Sequence, residues 1–159
     1  MPPISDTEII IRLLVAFVLS GLIGVEREFR EKPAGLRTNI MVGLGSTLMT
    51  LASIQAAGLF QGLPVDPTRI AAQIVTGIGF LGAGTILHRG PSIIIGLTTA
   101  ATLWVVAGIG IAVGFGLYLE AMVTTALVFF TFLVVSRFVG WLRQKNQKAG
   151  VDPEKLNEF

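Results

Sequence analysis

Five long apolar runs fill most of this sequence and restrict what it can fold into. They cover about residues 9–25, 38–59, 70–87, 93–113 and 117–139. A helix needs about 20 apolar residues to cross the roughly 30 Å hydrocarbon core of a bilayer. Each run approaches that length, and all seven prolines lie outside the runs, as expected for helix interiors. The sequence therefore predicts an all-α polytopic membrane protein, a bundle of five transmembrane helices.

The composition agrees with a chain dissolved in lipid. Of the 159 residues, 52% are hydrophobic and 14% are charged, whereas soluble domains carry about a quarter charged residues. The absence of cysteine excludes a disulfide framework, a thiolate metal site and a cysteine nucleophile. We expect one transmembrane domain over residues 1–142 and a short polar cytoplasmic tail over residues 143–159.

The basic residues predict an orientation, because Lys and Arg concentrate in short cytoplasmic loops. All but two of the twelve lie in the first loop, in the third loop or at the C-terminal end, and the exceptions are Arg12 and Arg69. With an odd number of spans, this places the N-terminus outside and the C-terminus in the cytoplasm. Because the basic residues lie in the predicted cytoplasmic segments, the net charge of +2 does not indicate a nucleic-acid partner.

A glycine motif in the third run has the spacing G-x-G-x-x-G, at Gly77, Gly79 and Gly82. A dinucleotide site needs an acidic residue about 20 positions further on, and residues 97–106 contain none. Small residues instead let membrane helices approach closely, so we expect a face for helix packing or for a partner. It comprises Gly77, Gly79, Phe80, Gly82, Ala83 and Gly84. Matching small residues are Ser20, Gly21, Gly24, Gly43, Gly45, Gly110 and Gly114.

Polar residues at membrane depth are costly unless partnered, which makes each a candidate functional residue. The polar cluster predicted on this ground comprises Glu26, Arg27, Arg37, Thr38, Asn39, Asp66, Arg69, Gln73, Thr76, Thr98, Thr99 and Thr102. Helical spacing places Arg69, Gln73 and Thr76 on one face of the third span, and Thr98 and Thr102 on one face of the fourth. Structural alternatives are threonines bonded to their own i−4 carbonyls, arginines 12 and 69 snorkelling to the outer interface, and Asp66 as an N-cap.

The same residues argue against an enzyme. His88 is the only histidine and there is no cysteine. The sequence therefore does not favour a histidine-dependent catalytic triad, and it excludes a metal centre with several histidine ligands. A Mg²⁺ site would need several oxygen ligands, mostly carboxylates and carbonyls. The available oxygens belong to Glu26, Asp66, Glu120, threonine hydroxyls and the backbone. This is a poor set of ligands for Mg²⁺. We predict no cofactor, and leave Mg²⁺ open as a ligand or substrate.

Three stretches together resemble, in order and spacing, the MgtC/SapB family of bacterial inner-membrane proteins. They are GLIGVEREFREKPAGLRTNIMVGLGS (21–46), DPTRIAAQIVTGIGFLGAGTIL (66–87) and GLTTAATLWVVAGIGIAVG (96–114). The resemblance implies a five-span protein of the cytoplasmic membrane, linked to Mg²⁺ homeostasis, low-Mg²⁺ and acid adaptation, and virulence. It adds Trp104 to the packing or partner face. The family positions matched here are Glu26, Arg27, Gly35, Leu36, Arg37, Thr38, Asn39, Arg69, Gln73, Gly77, Gly79, Phe80, Gly82, Gly84, Gly96, Thr98, Thr99, Ala100, Thr102 and Trp104.

Two functions follow from this resemblance. The first is regulation of a membrane complex, such as the membrane sector of the F-type ATP synthase, through helix-helix contacts. The second is transport of Mg²⁺, with Gly96 letting the fourth span unwind and present carbonyls. Many relatives continue into an ACT-like soluble domain, which we expect this chain to lack, so that its function resides in the membrane bundle. Homo-oligomerisation stays open, and we expect neither nucleic acid nor nucleotide as a partner.

Overall fold

The fold is almost entirely helical. A computed structural model describes residues 4–59, 65–88, 94–135, 137–141 and 145. Its helices are α1 (Asp6–Phe29), α2 (Leu36–Leu59), α3 (Arg69–Thr85), α4 (Leu97–Phe115) and α5 (Tyr118–Phe130), followed by a π-helical segment, Thr131–Val135. The predicted tail, residues 143–159, lies outside the described residues except for residue 145.

Four helical stretches are long and apolar enough to cross a membrane: α1, α2, α4 and Tyr118–Trp141, which includes α5. Helix α3 has 17 residues, about 26 Å of helix, and falls short of the roughly 30 Å hydrocarbon core. The prediction of a helical membrane protein is therefore confirmed. Crossing by α3, and with it the count of five spans, stays a prediction, as does the orientation of the termini.

The connection between α3 and α4 is a correction to the predicted spans. Residues 87, 94 and 95 were expected inside helices, but α3 ends at Thr85 and α4 begins at Leu97. The predicted first residue of the fourth span, residue 93, lies outside the described residues. Between them, β1 (Leu87–His88) and β2 (Ile94–Ile95) pair antiparallel. Apolar character alone does not separate a short strand from a helix end. Gly96 closes the hairpin with a φ of +96°, where a side chain would collide with the carbonyl of Thr85.

Side chains fix both ends of α1. The hydroxyl of Ser5 accepts the N–H of Glu8 at 3.3 Å and caps the N-terminus. After the C-terminus, Glu31 and Ala34 adopt positive φ angles of 52° and 57°, which turn the chain back toward α2. The carboxylate of Glu28 then accepts the N–H of Leu36 at 3.0 Å and satisfies a free donor at the start of α2.

Helix α4 lies at the centre of the first compact unit, which extends to Thr125. It packs against α1, α2 and α3, and α1 also packs along α2. Val106 and Val113 of α4 and Ala16 and Ile23 of α1 are fully buried. This arrangement leaves the apolar side chains on the outer surfaces of the helices exposed, as expected for a chain surrounded by lipid.

Glycines let α1, α2 and α4 meet at backbone distance. A Cβ on Gly110 would lie 2.5 Å from the carbonyl oxygen of Gly43, and one on Gly43 would lie 2.6 Å from Cβ of Ser20. A Cβ on Gly114 would lie 2.6 Å from Cβ of Thr50. The hydroxyl of the fully buried Thr47 lies 2.9 Å from the Gly43 carbonyl and 2.8 Å from the Gly110 carbonyl. We call this contact the three-helix seam.

The small residues predicted on α1, α2 and α4 do form close helix contacts, with one exception. They contact each other, whereas they were predicted to match the glycines of α3. Gly24 packs against the backbone of Leu36, and Gly21 lies against Ile40. Gly45 is the exception, because the space around its Cα is open. The small residues of α1, α2 and α4 thus join these helices within one chain.

The second unit begins at Ala126. It contains the end of α5, the π-helical segment and helical residues 137–141. The rings of Phe138 and Trp141 stack with centroids 6.1 Å apart, and Nζ of Lys145 lies 5.4 Å from the Trp141 ring centroid. An aromatic ring beside a basic residue is typical of the membrane-water interface.

The seam makes a prediction about stability. Gly110→Ala should lower the free energy of unfolding by about 1–3 kcal/mol, because its methyl group overlaps the backbone of α2. Gly108→Ala is the matched control, since Gly108 lies on the same helix with open space around it. Thermal unfolding of both variants in detergent measures the difference. Equal midpoints for the two variants would show that the backbones are not in contact.

Candidate functional site

A buried polar cluster lies where α1 ends and α2 and α4 begin. We call Glu26, Arg27, Asn39 and Thr99 the polar-end cluster; each is at least nine-tenths buried. Arg27 donates from Nη2 to the hydroxyl of Thr99 at 3.1 Å, across 72 positions of sequence. Four of the predicted polar residues therefore lie inside the bundle at one end, and two of them bond to each other.

Two members of this cluster hold acceptor oxygens without a hydrogen-bond donor among the described residues. These atoms are both carboxylate oxygens of Glu26 and Oδ1 of Asn39. Nε of Arg30 lies 2.5 Å from Oε1 of Glu26, so these two side chains form an ion pair. Nδ2 of Asn39 donates to the carbonyls of Ala34 and Gly35, at 2.6 and 2.9 Å. Buried acceptors of this kind are available to a cation or to a donor group.

Neighbouring residues of α2 point in different directions. Asn39 is fully buried, whereas Arg37 and Thr38 are exposed on the surface of the helix. The structure therefore divides the predicted set Arg37, Thr38 and Asn39 between the bundle interior and a separate groove. That division depends on how α2 rotates against α1, which a single sequence does not specify.

The groove lies between α2 and α3 and has a volume of about 730 Å³. Its walls are mostly apolar, with Arg37 and Thr38 near the start of α2 and with Ser46 and Gln73 further along. We call it the α2-α3 groove. Its lining residues are Arg37, Thr38, Met41, Val42, Ser46, Met49, Ile70, Gln73, Ile74, Gly77, Ile78 and Leu81.

The residues of the predicted packing or partner face of α3 have different environments. Gly82 is buried, and a Cβ there would lie 3.5 Å from that of Ala100 on α4. Gly77 lines the groove. Phe80 is 83% exposed, and a Cβ added to Gly79 would have no atom within 4 Å. Gly84 and Ala83 are also exposed, as is Trp104 on α4.

The predicted polar stripe of α3 faces away from α4. Arg69, Gln73 and Thr76 are all exposed, and the hydroxyl of Thr76 lies 3.4 Å from its own i−4 carbonyl, Ala72. The predicted threonine face of α4 is not a single surface. Thr98 is exposed, whereas Thr102 is buried and donates to the Thr98 carbonyl at 2.7 Å.

Asp66 has a local structural role in the turn before α3. Its Oδ1 accepts the hydroxyl of Thr68 at 2.7 Å and the N–H of Thr68 at 2.8 Å. These hydrogen bonds, the hydroxyl first, hold the pKa of Asp66 below its usual value. Arg69 is close enough to contribute electrostatically to the same shift. Asp66 therefore stabilises a turn, in partial agreement with the capping alternative.

One polar network was not predicted from the sequence. Arg12 donates from Nη1 to the Gly114 carbonyl at 2.6 Å and from Nε to the carboxylate of Glu8 at 2.9 Å. Tyr118 donates its hydroxyl to the same Glu8 oxygen at 2.6 Å. Arg12 thus joins α1 to the end of α4, so the alternative that it only snorkels is wrong. The ion pair between Glu8 and Arg12 could have been predicted from their i,i+4 spacing in a helix.

No group of three or more His, Cys, Asp or Glu residues converges in the described parts of the chain. The polar-end cluster contains one carboxylate, Glu26, and one arginine, Arg27, and Arg30 pairs with Glu26 from outside the cluster. The positive charge of the two arginines is therefore available to balance Glu26 without a metal ion. The chemistry that this cluster supports is charge pairing and hydrogen bonding between helices.

Comparison with known proteins identifies a family. The sequence profile of the MgtC family matches residues 13–150. Protein SapB of Bacillus subtilis (strain 168) is 38% identical over 156 residues, covering 96% of this chain and 63% of SapB. Protein MgtC of Salmonella typhimurium (strain LT2) is 47% identical over 119 residues, covering 75% of this chain and 48% of MgtC.

YhiD of Escherichia coli (strain K12), named as a candidate magnesium transporter, is 50% identical over 114 residues. That alignment covers 70% of this chain and 53% of YhiD. The chain thus spans about half to three-fifths of the length of these curated relatives. No solved structure matches it significantly.

The Arg27-Thr99 contact can be tested by a matched pair of neighbouring threonines. Thr99→Val should lower the free energy of unfolding by about 1.5–3 kcal/mol, because it removes the acceptor of a buried charged donor. Thr98→Val should have little effect, since Thr98 is exposed. Thermal unfolding in detergent measures both. A Thr98→Val effect as large as that of Thr99→Val would rule out this contact as the cause.

Proposed function

Because the chain belongs to the MgtC family, we propose that it acts in Mg²⁺ homeostasis by binding another membrane complex through helix-helix contacts. The magnesium link is supported by the name of its relative YhiD. The proposed location is the bacterial cytoplasmic membrane, with the N-terminus outside. The proposed partner, implied by the family resemblance, is the membrane sector of the F-type ATP synthase.

The observation that carries this proposal is the uncovered outer face of α3, defined as Thr76, Gly79, Phe80 and Ala83. All four residues are exposed in the part of the chain that the structure describes. Between helices in lipid, small residues allow close backbone approach, and the exposed Phe80 ring provides a large contact area. The small residues of the three-helix seam are already in contact with each other, so this face is available to a second protein.

The route for Mg²⁺ transport has weaker support. The α2-α3 groove contains Arg37 and no carboxylate, so its fixed charge repels a cation. Gly96 does not unwind α4, because its carbonyl accepts the N–H of Ala100 at 2.9 Å in the first helical turn. What favours transport is the pair Glu26 and Asn39, because Oε2 of Glu26 and Oδ1 of Asn39 have no hydrogen-bond partner among the described residues and are oxygens of the type that Mg²⁺ prefers. We rank it second because Arg30 already pairs with Glu26.

The proposed orientation can be measured directly, because the chain contains no cysteine. In intact cells, a membrane-impermeant maleimide should label Ser5→Cys, placed just before α1. Lys32→Cys, in the loop after α1, should react only once the inner membrane is permeabilised. The reverse labelling pattern would invert the proposed topology.

The partner proposal predicts a selective loss of binding. Gly79→Leu should abolish co-purification of the chain with the ATP synthase membrane sector, because leucine removes the close approach at the outer face of α3. Its matched control is Gly108→Leu, at an exposed glycine of α4 with equally open surroundings. Both variants should insert into membranes at the wild-type level.

Co-purification is measured from detergent-solubilised membranes by quantitative mass spectrometry of the subunits. Retained binding by Gly79→Leu would show that the outer face of α3 is not the interface. Failure of the wild-type chain to retain any ATP synthase subunit would remove this complex as the partner.

A further inference from the structure

The α2-α3 groove has the length of one bilayer leaflet. On α2 its lining extends from Arg37 to Met49, about 18 Å of helix. On α3 it extends from Ile70 to Leu81, about 17 Å. Half of a bilayer's hydrocarbon core measures about 15 Å. The groove therefore matches the depth that one acyl chain occupies.

The lining of the groove suits a hydrocarbon chain. Its volume is about 730 Å³ and its walls are mostly apolar. They include the flexible side chains of Met41 and Met49, which adapt to irregular apolar ligands.

The charge at one end of the groove indicates the headgroup. Arg37 is exposed at the start of α2 and forms no ion pair with any described residue. Thr38 lies beside it with an exposed hydroxyl. Arg37 is thus a donor of fixed positive charge at the end of an apolar groove. Basic residues between membrane helices are typical binding sites for anionic lipid headgroups.

We propose that the α2-α3 groove binds an anionic phospholipid. One acyl chain lies along Met41, Ile74 and Leu81, and the phosphate pairs with Arg37 and accepts a hydrogen bond from Thr38. The site is separate from the outer face of α3, since Gly77 lines the groove and Gly79 does not. This inference therefore stands whether or not the proposed protein partner is correct.

The headgroup is tested with the full chain, purified in detergent, by native mass spectrometry. Phosphatidylglycerol and phosphatidylcholine with the same acyl chains are added separately. The wild type should bind one phosphatidylglycerol more tightly than phosphatidylcholine. Arg37→Gln should weaken phosphatidylglycerol binding about fivefold, the effect of one basic side chain on an anionic lipid. Lys32→Gln removes the same charge from the neighbouring exposed loop and should leave the preference intact.

The groove itself is tested with two glycines of α3 that both have open surroundings. Gly77→Leu projects a side chain into the groove and should abolish binding of both lipids. Gly79→Leu should bind both like the wild type, which also separates this site from the protein-partner interface. Thermal unfolding of each variant confirms that it folds.

Three results would overturn the proposal. Equal affinity of the wild type for the two lipids would remove the role of Arg37. Unchanged lipid binding by Gly77→Leu would place the lipid elsewhere on the surface. A lipid-free dimer that Gly77→Leu dissociates would show that the groove is occupied by a second copy of the chain.

Discussion

The backbone of α4 lies directly against that of α2, because Gly110 and Gly114 have no side chains where the helices cross. Hydrophobic burial does not drive this contact in lipid, so close packing and buried hydrogen bonds must stabilise it. The hydroxyl of Thr47 on α2 can donate one such bond to the Gly110 carbonyl of α4. With α1 joined through Gly43, the three helices form a fixed block. Helix α3 packs on that block with one face, and none of the described residues covers its outer face or the groove beside α2.

The length of each apolar run was enough to predict that α1, α2 and α4 exist, because crossing a bilayer sets a minimum length on a helix. It did not predict where helices stop beside a tight connection. Leu87, Ile94 and Ile95 are as apolar as the helices around them, yet they lie in two short strands that pair antiparallel where the chain reverses. Gly96 was visible in the sequence, but its left-handed conformation and its contact with Thr85 depend on the fold.

The sequence was enough to predict which residues belong to the candidate site. It was not enough to predict which of these residues contact each other. Arg27 and Thr99 were identified because polar groups at membrane depth are costly. Their pairing was not predictable, because the two residues lie 72 positions apart on different helices. Asn39 and Arg37 are two positions apart and have opposite environments, because only the packing of α2 on α1 decides which is buried. Arg12 was misread for a similar reason, since its acceptor, the Gly114 carbonyl, lies 102 positions away.

In the described part of the chain, buried polar groups hold α1, α2 and α4 together, and the outer face of α3 is exposed. Under the proposed function, unlike under the transport alternative, the chain itself should not conduct Mg²⁺. The most direct measurement is Mg²⁺ influx into sealed vesicles that contain the purified chain and an internal Mg²⁺ indicator dye. We expect influx equal to that of empty vesicles. Influx above this level that is lost in Asn39→Ala, in a variant that still reconstitutes, would contradict it.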